Sequence, residues 1–204
     1  MCDTVEGFLV DDVAADDVRK LKHVKKAKTF LTYDEVKHKL NSIDSLRDAV
    51  FLKLVYAALA RVGEIVRSRY SENPALTGRN IELTDTHLVI QLLTEKTRIW
   101  RRVPVNREKE SWLTEPIKNW AMHRLDEPLF NYSTRWGEKV FEKYFGSQNI
   151  HLLRHWRATH LLQGAVTGKP LDVGIVCRMG GWTNPRLLSV TYDHSVVEDY
   201  IDFI

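Results

Sequence analysis

The segment that most constrains the fold is residues 44–70, "DSLRDAVFLKLVYAALARVGEIVRSRY". Its apolar residues recur at helical spacing, at Leu46, Val50, Leu54 and Ala58. This pattern predicts a long buried helix, with a possible break near Gly63. The apolar run "AVFLKLVYAALA" contains a lysine and is shorter than the roughly 20 residues that a membrane span needs. We therefore expect a helix buried in a globular protein, and no membrane association.

The hydrophobic period changes after the turn-rich stretch "SENPALTGRN". The segments "NIEL", "HLVIQLL" and "IWRRVPV" predict three short strands, joined by turns at "TDT" and "TEKTR". Segments with apolar residues at helical spacing precede and follow these three strands. The first helix begins near Tyr33, because Thr32 is a good N-cap and Glu35 occupies the capping-box position. The predicted fold class is mainly α with a small three-stranded antiparallel sheet (α+β).

Composition and charge predict one domain with an appended arm. The 204 residues are 44% hydrophobic, which is enough for a substantial core. Residues 1–28 change from acidic to basic and predict a charged arm or linker, whereas residues 29–204 predict the domain. The net charge is +3 and the basic residues are clustered, which fits a polyanionic partner and a solvated lysine face equally well. Cys2 and Cys177 cannot build a disulfide framework or a zinc ribbon, and the N-terminus is not signal-like, so we expect a cytoplasmic protein.

The stretch "HLLRHWRATH" combines histidines and arginines on one predicted helix. His151 and His155 are four residues apart, a spacing that metal ligands use. The motif HExxH is absent, however, and the fixed charge of Arg154 between them disfavours a cation. No metal is therefore predicted. Leu152 and Trp156 indicate that the helix packs firmly, so its polar groups have defined directions.

Five further residues are candidates for a functional site, and most of them also allow a structural interpretation. Arg61 and Glu64 are three residues apart, either as a structural ion pair or as an anion-binding arginine with its orienting carboxylate. Lys96 lies at the tip of the predicted hairpin, where it is either solvated or directed at a substrate. Trp182 follows two glycines, which allow close backbone approach. Tyr192, ten residues later, is either a packing residue or an accessible hydroxyl.

In chain order, these segments resemble the catalytic domain of tyrosine recombinases, the phage-integrase family that includes the Xer proteins. The resemblance rests on "ARVGE", "TEKTR", "HLLRH", "GGWTN" and the tyrosine that follows, and it covers about Thr29 to the end, entering at "FLTYDEV". It implies the catalytic residues Arg61, Lys96, His151, Arg154, Trp182 and Tyr192. It also implies Glu64 as an acidic companion of the first arginine, and we expect His155 to be a structural hydrogen-bonding residue. The segment "RHWRATH" is similar to archaeal integrases.

The resemblance implies cleavage and rejoining of DNA strands through a covalent 3′-phosphotyrosine, with no metal, ATP or other cofactor. Two arginines would hold the non-bridging phosphate oxygens, His151 would accept the tyrosine proton, and Lys96 would protonate the leaving 5′ oxygen. The interval from Trp182 to Tyr192 is one residue longer than usual, so Tyr200 is the alternative nucleophile. Two other functions stay open, a type IB topoisomerase and a DNA-binding protein with a degenerate site.

The expected partners are double-stranded DNA and further copies of the chain, as a dimer or tetramer on DNA. The candidate phosphate contacts are Lys22, Lys25, Lys26, Lys28, Arg98, Arg101 and Arg102, although each is equally explained by surface solvation. The tail "SVVEDYIDFI" predicts an amphipathic helix that covers its own core or docks on a neighbouring subunit. Family members normally carry an N-terminal helical domain that 28 residues cannot build, so we expect a catalytic-domain fragment rather than a minimal recombinase.

Overall fold

The computed structural model describes residues 30–68 and 73–184. The helices and strands within these ranges belong to one compact unit that begins at Leu31. Several predictions lie outside the described residues. They are the arm over residues 1–28 with Lys22, Lys25, Lys26 and Lys28, the candidate nucleophiles Tyr192 and Tyr200, and the C-terminal tail.

The described ranges contain six α-helices and one small sheet, which confirms the predicted fold class. The helices are α1 (Tyr33–Asn41), α2 (Leu46–Ala57), α3 (Ser111–Met122), α4 (Thr134–Phe145), α5 (His151–Leu162) and α6 (Val173–Gly180). The strands are β1 (Ile81–Leu83), β2 (His87–Leu93) and β3 (Trp100–Asn106).

Helix α1 begins where the sequence predicts it. The Thr32 hydroxyl accepts a hydrogen bond from the Glu35 backbone N–H at 3.3 Å. The Glu35 carboxylate accepts one from the Thr32 N–H at 2.8 Å. These two bonds form the predicted capping box and satisfy backbone donors that the first helical turn would otherwise leave open.

Helix α2 is the centre of the core and is shorter than predicted. It is buried on all sides from Asp48 to Ala57, and α1, α3 and α5 pack against it. The prediction of a helix continuing toward Gly63 or beyond is wrong, because Leu59 adopts a left-handed backbone conformation with φ 47°. An L residue in that region cannot continue a right-handed helix. The chain then runs extended through Arg61 into a single 3-10 turn, Val62–Glu64.

The sheet is the predicted antiparallel meander in the order β1-β2-β3. Ile90 on the central strand lies opposite Ile81 on β1 and Val103 on β3. Side chains alternate along β3, so that Arg101, Val103 and Val105 are buried while the residues between them are exposed. The alternation places one arginine on the inner face of the sheet.

A buried polar cluster fixes helix α5 against the rest of the domain. The Arg157 guanidinium donates two parallel hydrogen bonds to the Glu110 carboxylate, one of them 2.7 Å long. The Nε2 of His160 donates to the Leu31 carbonyl oxygen at 2.8 Å. Because that oxygen can only accept, the neutral ring has its proton on Nε2, and Nδ1 accepts from the Tyr56 hydroxyl at 2.7 Å. Arg157 and His160, which the sequence left without a role, therefore hold the helix that carries His151 and Arg154.

Candidate active site

Several of the predicted site residues come from separate parts of the chain, and the fold brings them together around one carboxylate. Glu64 in the 3-10 turn accepts a hydrogen bond from the Arg61 side chain at 3.1 Å and another from the Arg61 backbone N–H at 3.1 Å. Its other contacts are the Arg101 guanidinium at 2.7 Å and the Glu95 backbone N–H at 3.4 Å, beside Lys96. The carboxylate therefore joins the loop of the first arginine to the β2–β3 hairpin.

Glu64 is held in its charged form although it is buried. Burial alone would raise the pKa of its carboxyl, but the charge and hydrogen bond of Arg101, the charge of Arg154 and the hydrogen bond from the Arg61 backbone N–H lower that pKa below its usual range. The predicted role as the acidic companion of Arg61 agrees with this geometry. Glu64 lies on the 3-10 turn and Arg61 directly precedes that turn, whereas the sequence predicted both on an α-helix.

Arg154 lies under the loop that carries Arg61. It is 4% exposed, and it donates a hydrogen bond to the Leu59 carbonyl oxygen at 2.6 Å. The left-handed conformation of Leu59 therefore ends helix α2 at a point where its carbonyl oxygen meets an arginine from α5. This contact positions the two predicted catalytic arginines relative to each other.

Trp182 lies against Arg154, as expected for two residues of one site. The guanidinium carbon of Arg154 is 3.9 Å from the centroid of the indole ring, a close cation–π contact. The two preceding glycines make this position possible. A Cβ on Gly180 would lie 1.7 Å from Cζ3 of the ring, and Gly181 has φ +69° in the left-handed region.

His151 is the first residue of α5 and is exposed, one turn before the half-buried His155. Partial desolvation, followed by the charges of Arg154 and Arg61, lowers the pKa of His151 below its ordinary value. The ring is therefore neutral at pH 7, the state in which an imidazole can accept a proton.

Three of the predicted cations lie at or beside the hairpin and are exposed, namely Lys96, Arg98 and Arg102. The turn is stabilised by Thr94, whose hydroxyl accepts a hydrogen bond from the Ile99 N–H at 2.9 Å. Arg102 forms an exposed ion pair with Glu82 at 2.6 Å. Lys96 and Arg98 thus lie on the exposed part of the hairpin that begins beside Glu64.

The prediction that Arg101 contacts DNA phosphates from the surface is wrong. This residue is 6% exposed, and its guanidinium is bound to Glu64 and to backbone carbonyl oxygens. Successive side chains of a strand point to opposite faces, so Arg101 faces the interior together with Val103. Arg101 is therefore a buried member of the site that sequence reasoning assigned to the wrong face.

The described residues test the remaining predictions only in part. Within residues 30–68 and 73–184, no group of three or more histidine, cysteine, aspartate or glutamate side chains is arranged to hold a metal ion. Over the same ranges, no helix has the length and apolar character needed to cross a membrane. Tyr192 and Tyr200 are outside these ranges, so the nucleophile stays a prediction.

Comparisons with known proteins identify the fold. No protein-family model matches the chain, and no curated protein does. Among solved structures, the chain is similar to XerH site-specific recombinase bound to palindromic difH substrate in a post-cleavage complex, with TM-score 0.60, 15% identity and coverage of 86% of this chain. It is also similar to XerA recombinase (TM-score 0.60, 17% identity, 86% of this chain) and to the Tn1549 transposon integrase in complex with transposon right end DNA (TM-score 0.61, 15% identity, 94% of this chain).

These similarities show that the chain has the fold of tyrosine-recombinase catalytic domains, which confirms the resemblance read from the sequence. The match spans 52% of the XerH chain, 65% of the XerA chain and 69% of the integrase chain. The chain thus corresponds to about half to two thirds of these proteins. An archaeal origin has no support in the comparisons.

Proposed function

We propose that this chain is the catalytic part of a site-specific DNA recombinase or integrase that cleaves and rejoins strands by transesterification. The observation that carries the proposal is the charge of the site. Arg61, Arg101 and Arg154 supply three positive charges around the buried Glu64 carboxylate, and the Glu95 carboxylate lies beside Gly63, so that among these groups the positive charges exceed the negative ones by one. These positively charged groups are close together and partly buried, so they repel one another. Binding of an anion therefore stabilises the site.

A phosphodiester has the charge and shape that this arrangement fits. Arginine presents donors in a planar fork that matches two phosphate oxygens, and Arg61 is held by Glu64 with part of its side chain open to solvent. The same donors stabilise the additional charge that the non-bridging oxygens carry in the transition state. We assign this role to Arg61 and Arg154, with Trp182 packed against the second arginine.

In each step of the proposed reaction, one phosphorus–oxygen bond forms and another breaks at the same phosphorus atom. The Tyr192 oxygen forms a bond to phosphorus, the bond from phosphorus to the 5′ oxygen breaks, and a 3′-phosphotyrosine results. Neutral His151 accepts the phenol proton, and Lys96 supplies a proton to the departing 5′ oxygen. The 5′ hydroxyl of a partner strand then reverses these steps and releases the tyrosine. The proposal needs no cofactor.

We also propose double-stranded DNA and further copies of this chain as partners. The neighbouring XerH and Tn1549 integrase structures are DNA complexes, which supports DNA as the ligand here. Lys96, Arg98 and Arg102 are candidate phosphate contacts on the described surface, and Lys22, Lys25, Lys26 and Lys28 are candidates in the N-terminal arm. Assembly as a dimer or tetramer on DNA, with the C-terminal segment docked on a neighbouring subunit, belongs to the same proposal.

The test is covalent trapping. The protein is incubated with a pool of nicked duplexes that carry a randomised core, and adducts that survive SDS are isolated and sequenced. We expect an adduct that forms equally well in EDTA and is lost in Tyr192→Phe, while Tyr200→Phe keeps it. An adduct that persists in Tyr192→Phe and disappears in Tyr200→Phe would move the nucleophile to Tyr200.

The trapped duplexes also distinguish the proposed function from the alternatives. A type IB topoisomerase would relax supercoiled plasmid that lacks the trapped sequence, and the solved structures above do not favour this alternative. A DNA-binding protein with a degenerate site would retain duplexes without any SDS-stable adduct. A recombinase gives joined products only when two copies of the trapped sequence are present.

A further inference from the structure

Arg101 donates four hydrogen bonds within the site. It enters from β3 and is 6% exposed. One terminal nitrogen donates to the carbonyl oxygens of Ala58, at 2.8 Å, and Met179. The other donates to the Leu59 carbonyl oxygen at 3.3 Å and to Glu64 at 2.7 Å. A single guanidinium therefore binds three separate segments of the chain.

Each of these segments leads directly to a predicted catalytic residue. Leu59 lies two residues before Arg61, and its carbonyl oxygen is the one that also accepts from Arg154. Met179 lies three residues before Trp182. Lys96 lies on the hairpin whose second strand carries Arg101 itself. The contacts of Arg101 thus set the distances between groups that must act on the same phosphate.

We propose that Arg101 is a positioning residue of the DNA-cleavage site, which fixes the Arg61 loop and the Trp182 segment relative to the Lys96 hairpin without touching DNA. This inference rests on the proposed strand-cleavage function. It differs from the surface role that the sequence suggested, because the guanidinium is bound to Glu64 and to backbone carbonyl oxygens and the residue is buried. Arg101 acts through the positions of the Arg61 loop, the Trp182 segment and the Lys96 hairpin, and through the charge of Glu64.

The packing around the side chain supports this assignment. The stem of Arg101 runs against the backbone of Gly181, where an added Cβ would lie 3.1 Å from Arg101 Cδ and 2.9 Å from Thr94 Cγ2. Thr94 in turn closes the base of the hairpin turn through the Ile99 N–H. The arginine is therefore enclosed between the hairpin and the end of α6.

Arg101 also controls the charge of Glu64. Its positive charge and hydrogen bond are the largest of the contributions that keep the pKa of this buried carboxyl below its usual range. Without Arg101, burial would raise that pKa, and protonated Glu64 would bind Arg61 less strongly. A variant without the arginine therefore acquires a new dependence on pH, which loss of packing alone would not produce.

The test compares Arg101→Met and Arg101→Lys with the wild-type protein in the trapping reaction, under single-turnover conditions and with saturating trapped duplex. We expect the cleavage rate of Arg101→Met to fall by about 100-fold, the effect of displacing reacting groups by roughly 1 Å. Lysine keeps the charge but not the fork, so Arg101→Lys retains part of the rate. The Kd for the duplex, and its dependence on salt, stay at the wild-type values.

The pH profile supplies a second readout. The rate of Arg101→Met falls further than that of the wild type as the pH is lowered, because the carboxyl of Glu64 protonates more readily without the arginine. Adding Glu64→Gln to Arg101→Met removes this additional fall, because no carboxyl is left to titrate at the position.

Arg79→Met is the control, since Arg79 is also paired with a carboxylate, that of Asp126, but this pair is exposed and lies outside the site. It keeps the wild-type rate. Three results overturn the inference alone: wild-type rate and pH profile in Arg101→Met; a slope of log Kd against log salt reduced by about 0.9, which indicates a phosphate contact; or an equal rate loss in Arg79→Met. Absence of an adduct with the wild-type protein refutes the proposed function, and this inference with it.

Discussion

His160→Gln tests whether a neutral buried histidine contributes to the pH dependence of folding. His160 is 1% exposed, and burial lowers its pKa from the ordinary 6.5 to about 4. Its Nε2–H bonds the Leu31 carbonyl oxygen and its Nδ1 accepts from Tyr56. Glutamine offers one donor group and one acceptor but does not titrate.

The magnitude follows from the two pKa values. Above pH 6.5 the ring is neutral in both the folded and the unfolded chain, so it adds no pH dependence. Between pH 6.5 and 4 only the unfolded chain binds the proton, and stability is lost as the pH falls. The lowering corresponds to about 3 kcal/mol over the whole window, at about 1.4 kcal/mol for each unit of pKa.

Urea unfolding at a series of pH values from 7.5 to 4 measures this contribution. Carboxylates protonate over the same range in both proteins, so the informative quantity is the difference between wild type and His160→Gln. We expect the wild-type free energy of unfolding to fall more steeply than that of the variant, with the difference growing below pH 6.5. His123→Gln, at an exposed position, is the control. Parallel curves for wild type and His160→Gln would refute the buried neutral imidazole.

Three further predictions concern the core, the site and the DNA contacts. Glu110→Gln leaves the Arg157 charge buried without its carboxylate and should cost about 3–5 kcal/mol in thermal or urea unfolding, whereas Glu110→Leu combined with Arg157→Met should recover most of that loss. Gly180→Ala forces the Trp182 ring away from its place and should lower the trapping rate by about 100-fold with DNA affinity retained; an unchanged rate would show that the ring position is not needed. Arg98→Ala should weaken duplex binding and reduce the slope of log Kd against log salt by about 0.9, and an unchanged slope would remove Arg98 from the phosphate contacts.

The elements of the fold were predictable where a local pattern decides them. The capping box at Thr32 and the alternation of β3 are properties of neighbouring residues, and both are present in the structure. The end of α2 was not predictable in this way. Apolar residues continue past Ala57 at helical spacing, but the left-handed Leu59 presents its carbonyl oxygen to arginines more than 40 residues away in the sequence. Contacts between residues so far apart in the sequence leave no pattern among neighbouring residues.

The grouping of four candidate site residues was predictable from the motifs, but their geometry was not. The motifs place Arg61, Glu64, Arg154 and Trp182 in the site, and the structure brings these four together. Arg101 was misassigned although a signal was present. In "WRRVPV" the period of two pairs Arg101 with Val103 and Val105, so the same pattern that predicted the strand also places this arginine on its apolar face.

Two of the buried arginines, Arg101 and Arg157, differ in how their charge is compensated, and that difference explains why Arg101 belongs to the site and Arg157 does not. Arg157 faces both oxygens of Glu110, so its charge is neutralised where it lies. Arg101 shares Glu64 with Arg61 and otherwise binds backbone carbonyl oxygens, which carry only partial charge. One carboxylate therefore orients two guanidinium groups without neutralising both. The remaining positive charge is available to a ligand, and it lies where Arg154 and Trp182 converge on the loop of Arg61.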